Sequence, residues 1–434
     1  MQDSALRLGK LFENNRSGNP TGIYSVCCAH PIVISAALEL ARDHGPLAVI
    51  EATCNQVNKD GGYTSQRPAQ FADKVKEMAH WIGLPENDLV LGGDHLGPQP
   101  WREMPADAAM AKAITMIEAY TKAGYGKLHL DCSMSCADDP PALDNKIIAE
   151  RAARLAVAAE AAAGRASTKP VYVIGTEVPA PGGMGEGHAI VPTTRDSVVE
   201  TWRAHEEAFE RAGLKDAFGR VVAVVVQPGL DFGNEEVVCF EPAAAIGLVG
   251  AVLDLDRAVY EAHSTDYQQP RSYVDLVGMH FAILKVGPAA TFALREAIYA
   301  LELVARELPG WNEQCSVRSA LEAAMLRDPR HWASHYKGKP ERQAYLRHFS
   351  YSDRLRYYWT DPSVERAMSQ LMVVLSDGRL PLTLISQYFP QHARSVSGGL
   401  ILATAVSLIR ASVQLALEPY AVACGSHVSA QAEG

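Results

Sequence analysis

From about residue 20 the chain alternates two kinds of stretch: short β-type runs, several of them apolar on both of their alternating faces, and longer stretches whose apolar residues recur at helical spacing. Eight short runs stand out: 22–28 (GIYSVCC), 47–52 (LAVIEA), 88–93 (DLVLGG), 127–131 (KLHLD), 171–177 (VYVIGTE), 219–227 (GRVVAVVVQ), 258–263 (AVYEAH) and 281–286 (FAILKV). Strands apolar on both faces belong to a parallel sheet that is covered on both sides. Helical stretches fall between them at 31–44, 67–83, 105–124, 144–164, 195–212, 241–256, 271–280 and 291–307. Eight strand–helix units in succession predict a (β/α)₈ TIM barrel over residues 1–310, with a doubly wound open sheet as the alternative. The open sheet would prefer a glycine-rich phosphate loop after its first strand, and Ser25-Val26-Cys27-Cys28-Ala29-His30-Pro31 is not one. Residues 1–20 read as a helix and a polar loop, and beyond about residue 310 the alternation stops. Residues 311–434 are helical in pattern and are expected to form an extension packed on the barrel.

The stretch that organises the rest is Leu91-Gly92-Gly93-Asp94-His95-Leu96-Gly97-Pro98, an apolar run that ends in two glycines, an acid and an imidazole. Gly92-Gly93 offer no side chain, which predicts a close approach of something to the backbone. A (β/α)₈ barrel builds its active site at the C-terminal ends of its strands, so the strand ends are where chemistry is to be sought. The sequence places there Glu51, with Asn55 behind it; Asp94 and His95; Asp131; Glu177; Gln227; Glu261 and His263, with Ser264, Thr265 and Asp266 behind; and Lys285 before Gly287. Six of the eight ends close directly on Asp, Glu, His or Lys, a concentration that marks a site.

His95 and His263, with Glu177 or Gln227, make a candidate shell for a divalent metal with open positions; each histidine alone could equally be a hydrogen-bonded structural residue. His129, interior to its run, is expected to be structural. Asp94 is a candidate general acid or base, or else the group that orients a histidine ligand; Asp131 and Glu177 are further proton-transfer candidates. Ser264, Thr265, Asp266 and Gly287, after strands 7 and 8, are candidates for phosphate binding, with Glu51, Asn55 and Lys285 as further substrate contacts. Arg354 and Arg356 could clamp an anion by forked hydrogen bonds or lie solvated on a packing helix, and Ser386-Gln387 is ambiguous in the same way.

Composition narrows the class. With 434 residues, 48% hydrophobic and 21% charged, the chain has the balance of a globular protein. A net charge of −10 and the lack of any Lys/Arg block argue against a nucleic-acid partner. No secretory signal or membrane-length apolar run is visible, so a cytoplasmic protein without a membrane partner is expected. The eight cysteines include no C-x-x-C pair and are expected to be reduced and mostly buried.

Taken together, SVCCAHP, EATCNQVNKDGGYT, LGGDHLGPQPW, KLHLDCSMSC, VIGTEVPAPGG, VVQPG, YEAHSTDYQ, HFAILKVGPAATFALREA, FSYSDRLRYYW and LISQYFP resemble the Z subunit of D-tagatose-1,6-bisphosphate aldolase, over roughly residues 7–424. That family is more loosely similar to the class II, zinc-dependent ketose-bisphosphate aldolases, which are (β/α)₈ barrels. The looser resemblance implies Asp94 as proton donor or acceptor, His95 as metal ligand, and His263-Ser264 as a ligand followed by a phosphate turn. It also implies a phosphate turn at Lys285-Val286-Gly287 and an acidic loop at Glu177 and Gly182-Gly183. One departure stands out: the aldolases carry a zinc-ligating histidine at the end of strand 6, where this chain has Gln227.

What the resemblance implies about activity takes three forms: an accessory partner of a catalytic aldolase subunit, a 4-epimerase interconverting D-tagatose 6-phosphate and D-fructose 6-phosphate, and a tagatose-6-phosphate kinase. The kinase is disfavoured because the chain has neither a Walker loop nor a kinase-type glycine-rich loop. Between the other two, chemistry favours the epimerase. The C4 hydrogen of a 2-ketose is not adjacent to the carbonyl, so inversion there calls for breaking and re-forming the C3–C4 bond. That route needs a metal, an acid/base at O4 and a phosphate anchor, and the sequence has candidates for all three. The expected cofactor is a divalent metal, Zn²⁺ ahead of Mn²⁺. The expected partners are a phosphorylated ketohexose, a catalytic aldolase subunit in the accessory case, and further copies of this chain.

Overall fold

Eight parallel strands close into a barrel: β1 (Ile23–Val26), β2 (Ala48–Thr53), β3 (Leu89–Leu96), β4 (Lys127–Leu130), β5 (Val171–Ile174), β6 (Val221–Val226), β7 (Val259–Ala262) and β8 (Ile283–Val286). Each strand pairs with the next, and β8 returns to β1, with Ser25 opposite Lys285. The computed structural model describes residues 4–45, 47–164, 169–176, 178, 183, 190–313, 316–376 and 378–425. Every expected strand is present, and the (β/α)₈ reading holds over the open sheet. Short ends trim most of the runs, but β3 is longer than its apolar run and takes in Asp94 and His95. An unforeseen two-stranded ladder, Asp231–Phe232 with Val237–Val238, follows β6.

The helices start where the chain can least use a backbone N–H. Proline opens those at Pro31–His44, Pro68–Ile82, Pro242–Val252, Pro270–Gly278 and Pro288–Arg306, its fixed φ suiting the first turn. Elsewhere a side chain caps: Asp144 accepts from the N–H of Lys146 ahead of Asn145–Ala163, and Thr194 from that of Ser197 ahead of Arg195–Arg211.

Strand periodicity then sorts side chains into two cores. One face of each strand, including Val26, Ile50, Leu128, Ile174 and Leu284, packs against the surrounding helices. The other face, including Ile23, Val49, Val90, Val173, Val225, Val259 and Ile283, fills the barrel interior, where Leu8, Leu11 and Phe12 of the first helix join it as a plug. Each such side chain contributes about 1.5–3 kcal/mol on burial.

The extension folds as helices Val317–Arg327, Pro340–Phe349, Pro362–Val374, Leu382–Tyr388, Pro390–Ser397 and Ala405–Ala423. The last of these packs on Pro31–His44, Pro270–Gly278 and Pro288–Arg306 and reaches β1. Its Tyr420 hydroxyl donates to the carbonyl of Thr265, 2.9 Å away. No helix among the described residues is long and apolar enough to cross a membrane. The seven described cysteines are all free thiols, five of them buried; Cys315 lies outside the described residues.

Candidate active site

Above the apolar floor of the barrel the inward-facing positions become charged. Glu51 of β2, Lys127 of β4, Glu261 of β7 and Lys285 of β8 meet at the centre, all buried. Lys127 Nζ donates to Glu51 Oε1 and Glu261 Oε2, each at 2.6 Å. Lys285 Nζ bonds to Glu51 and, at 2.8 Å, to Asp94 Oδ1. Gly92 makes this possible: a Cβ there would lie 2.5 Å from Glu51 Cγ, so only glycine lets Glu51 lie flat across the interior. A Cβ at Gly97 would fall 1.6 Å from the carbonyl oxygen of Asp131, which holds β3 tight against β4.

The next tier up holds Asp94, His95, His129, Asp131 and His263, all buried. Adjacent residues on a regular strand point to opposite faces, yet Asp94 and His95 both point inward. The register of β3 against β4 shifts between Gly93 and Leu96, and His95 takes a left-handed backbone with φ of 48°. This bulge turns the second side chain into the barrel, an arrangement of the kind found beside functional sites. The three imidazoles form a triangle with ring centroids 5.2 Å (His95–His129), 5.0 Å (His95–His263) and 5.3 Å (His129–His263) apart. Asp131 Oδ2 accepts from His95 Nδ1 at 2.8 Å, and its Oδ1 is held by the N–H and hydroxyl of Ser133. A carboxylate that fixes one nitrogen of a histidine in this way orients the other toward a ligand. Asp94 Oδ1 lies 3.0 Å from His129 Nδ1, and Glu261 Oε1 lies 2.9 Å from His263 Nε2.

Burial opposes ionisation of Asp94, but His95, Lys285 and the bond from His129 outweigh it and hold the carboxyl well below its usual range. Asp131 is likewise lowered against the effect of burial, chiefly by its hydrogen bond from His95. Glu261 is lowered by Lys127 and Lys285, again against burial. The two lysines stay charged for the reciprocal reason. Burial lowers His263 to about 4. Burial also works against the charged form of His95, but Asp94 and Asp131 on either side outweigh it and raise the imidazole.

This donor set fits a divalent cation. Ligand atoms of Asp94, His129, Glu261 and His263 all lie within 4.8 Å of one another. His129 Nε2 is buried and has no hydrogen-bond partner among the described residues. The cluster also holds four carboxylates (Glu51, Asp94, Asp131, Glu261) against two ammonium groups (Lys127, Lys285), an imbalance that a dication matches.

Two expectations change here. His129, expected to be structural, sits at the centre of the cluster. Gln227, expected to fill the metal shell, does not reach it: its Oε1 accepts from the N–H of Gly229 at 2.9 Å and of Leu230 at 3.2 Å, closing its own loop. The third imidazole therefore comes from β4 instead of β6. The signal was in Lys127-Leu128-His129-Leu130-Asp131, whose strict alternation puts three polar side chains on one face. Glu261 pairs with His263 across the same two-residue spacing. Glu177 and Gly182 lie outside the described residues.

A cavity opens over this tier, lined by Asp94, His95, His263, Lys285, Asn55, Ser264, Asp266, Gly287 and Arg356, with Tyr63, Phe232 and Tyr357 as aromatic walls. The expected phosphate turn is partly engaged already. Asp266 Oδ1 accepts from the N–H of Gly287 (3.0 Å) and of Ala289 (2.8 Å) at the start of Pro288–Arg306, and the Thr265 hydroxyl donates to the carbonyl of Lys285 at 2.6 Å. Burial raises Asp266 to about 6. Ser264 and Arg356 remain facing the cavity. Arg354 does not: it lines a neighbouring cleft, because the backbone coils as a 3₁₀ turn over Arg354–Tyr358 and sends the two arginines to different sides. Ser386 and Gln387 are exposed on Leu382–Tyr388; Gln387 borders a groove with Phe292 and Phe349, away from the barrel mouth. Their helix packs by Ile385, which leaves its neighbours outward.

Comparison with known proteins agrees with this architecture. A crystal structure described as that of a probable tagatose 6 phosphate kinase from Sinorhizobium meliloti is 47% identical, covering 93% of this chain and 100% of its own, with a TM-score of 0.86. A fructose-bisphosphate aldolase from Campylobacter jejuni is 13% identical over 85% of this chain and 92% of its own, and its TM-score of 0.45 is too low to carry an argument. The family described as D-tagatose-1,6-bisphosphate aldolase subunit GatZ/KbaZ-like matches residues 8–425, nearly the whole chain, and the protein belongs to it.

Proposed function

We propose that this chain is a metal-dependent 4-epimerase that interconverts D-tagatose 6-phosphate and D-fructose 6-phosphate by retro-aldol cleavage and re-addition. The observation that supports this reading best is Asp94: an ionised carboxylate that faces the cavity among three imidazoles and bonds to Lys285. A dication held by His129, His263 and Glu261, with Asp94 and His95 beside it, would supply Lewis-acid stabilisation for the negative charge that C–C cleavage leaves on the ketose; Zn²⁺ is the first candidate. Asp94 accepts the O4 proton as the C3–C4 bond breaks and returns it when the bond re-forms. Lys285, anchored by Glu51, keeps Asp94 ionised before cleavage, ready to accept that proton. Arg356 and Ser264 hold the phosphate, while Tyr63, Phe232 and Tyr357 confine the released aldehyde as it turns its other face.

The test supplies the purified chain alone with tagatose 6-phosphate and Zn²⁺ or Mn²⁺ and assays fructose 6-phosphate. Turnover that falls at least ~100-fold in Asp94→Ala and is abolished by a chelator is expected. No turnover by the wild-type chain with either metal would sink the proposal.

The family's description as an aldolase subunit favours a second reading, in which the chain supports a separate catalytic subunit. Co-expression with such a subunit, read by co-purification and raised aldolase activity, distinguishes it. The kinase named for the Sinorhizobium meliloti relative is set aside. Nothing glycine-rich follows β1, where Cys27-Cys28-Ala29-His30-Pro31 runs into the first barrel helix, and no Walker loop occurs in the sequence.

A further inference from the structure

Inversion at C4 sets a geometric demand that one acid/base cannot meet alone. The two epimers carry O4 on opposite sides of the carbon chain. A proton that Asp94 takes from O4 of one epimer lies on the wrong side when the turned aldehyde adds back. Re-addition on the second face therefore needs a proton donor across the cavity from Asp94.

The cavity has two ends. Asp94 sits at the inner one, 2% exposed, with His95, His263 and Lys285. Tyr357 stands at the outer one, since it lines this cavity and also the neighbouring cleft. It arrives from the extension instead of from a barrel strand, on the turn Arg354–Tyr358. Neighbouring rings fix its orientation. His331 stacks on it with centroids 4.6 Å apart, and Tyr63 of the loop after β2 meets it edge-on, also at 4.6 Å. Arg356 Nη2 donates to the Tyr357 hydroxyl at 3.2 Å, which places that hydroxyl beside the guanidinium facing the cavity.

The other proton carriers that line the cavity do not meet the demand. His95 and Lys285 are bonded to Asp131 and Asp94 at the inner end. Cys27 Sγ lies 3.7 Å from Glu51 at the same end, and burial raises its thiol. Asp266 is held by two backbone N–H groups. Burial pushes the Tyr63 hydroxyl up. It pushes Tyr357 up as well, but Arg356 and Arg354 outweigh it and draw that hydroxyl below its ordinary value, which makes Tyr357 the better acid of the touching pair.

We propose that Tyr357 is a second acid/base of the site, protonating O4 on the face opposite Asp94. This inference rests on the epimerase reading above and deepens its second half. As the C3–C4 bond re-forms, the electron pair on C3 of the ketose fragment adds to C4, the C4–O4 π pair moves onto O4, and O4 takes the Tyr357 proton. In the same step the proton held on Asp94 passes through cavity solvent to Tyr357. Asp94 is then ionised and Tyr357 protonated, as at the start, and the same resting state serves both directions of the reaction.

The test compares the full chain, supplied with metal and tagatose 6-phosphate, with its Tyr357→Phe variant and with a chain carrying 3,5-difluorotyrosine at that position. Phenylalanine keeps the stacked ring but has no proton to give, so kcat should fall at least about 100-fold. KM for tagatose 6-phosphate should stay within about threefold, because the interaction is made only as the bond re-forms. Difluorotyrosine is close in shape and more acidic. It should move the alkaline limb of the pH–rate profile to lower pH, which a ring that only packs would not do. The proposal is overturned if kcat of Tyr357→Phe stays within about tenfold of wild type, or if the loss appears in KM instead, the mark of a binding contact. It is equally overturned if the alkaline limb does not move. A wild type that turns over beside an unimpaired Tyr357→Phe removes this inference alone, whereas a wild type with no turnover removes the epimerase reading and this inference with it. Should Tyr357→Phe fail to fold, the difluorotyrosine profile decides.

Discussion

The barrel interior holds two tiers made by the same strands, and they are stabilised in opposite ways. The lower tier is Ile23, Val49, Val90, Val173, Val225, Val259 and Ile283, closed by the first helix. The upper is Glu51, Lys127, Glu261 and Lys285, with the histidines and Asp94 above. Below, each side chain contributes by leaving water, and its neighbours need only fill space. Above, every charge gives up hydration and is tolerated only because a partner of opposite sign meets it. The lower tier should therefore fail gradually under mutation, and the upper one abruptly.

The largest effect expected is at the join of the two. Lys127→Met leaves Glu51 and Glu261 with Lys285 as their one remaining nearby cation among the described residues and should cost about 3–5 kcal/mol in urea denaturation. Val90→Ala, in the lower tier, should cost about 2 kcal/mol. Equal losses would break the comparison, and partial rescue of Lys127→Met by Glu51→Gln would sharpen it. A smaller effect is expected at Asp131→Asn, which keeps the shape but loses the charge that orients His95. Metal affinity, measured by competition with a coloured chelator, should fall about 10- to 100-fold while the melting temperature moves little. The smallest is at Asp266, which is as buried as Asp94 but held by two backbone N–H groups instead of cations. Asp94 is drawn down and Asp266 pushed up to about 6. A carboxyl raised on folding contributes fully below its unfolded value and loses that contribution as pH rises through 6. Asp266→Asn should therefore gain about 2 kcal/mol at pH 8 and nothing near pH 4, as read from urea midpoints at the two values. A gain independent of pH would place the effect in packing instead.

Much of this was legible in the residues. Apolar runs of strand length separated by helical periodicity carried the barrel, since both signals are local. Asp94, His95, His263, Lys285 and Glu51, which the structure brings into one space, are legible because strand ends are visible as the points where apolar runs stop. His129 lies inside its run, and a position inside an apolar run reads as core unless its alternation with Lys127 and Asp131 is weighed. Arg354 and Arg356 looked like one clamp because two residues of chain separate them, whereas a 3₁₀ turn sends them apart. Gln227 stood at a strand end as required, but its side chain was claimed by amides only two and three residues on.

The sequence by itself determined the alternation of elements, the acidic and imidazole character of the strand ends, and the glycines that leave room beside them. Tertiary structure alone decided which of those groups share one space. Glu51, Lys127, Glu261 and Lys285 come from four strands spread over more than half the chain, and their pairing depends on closure of the barrel at β8 and β1. The bulge that turns both Asp94 and His95 inward is a matter of register between β3 and β4, which no local pattern encodes. Composition along a strand is local chemistry, whereas convergence at a barrel mouth is a property of the closed sheet.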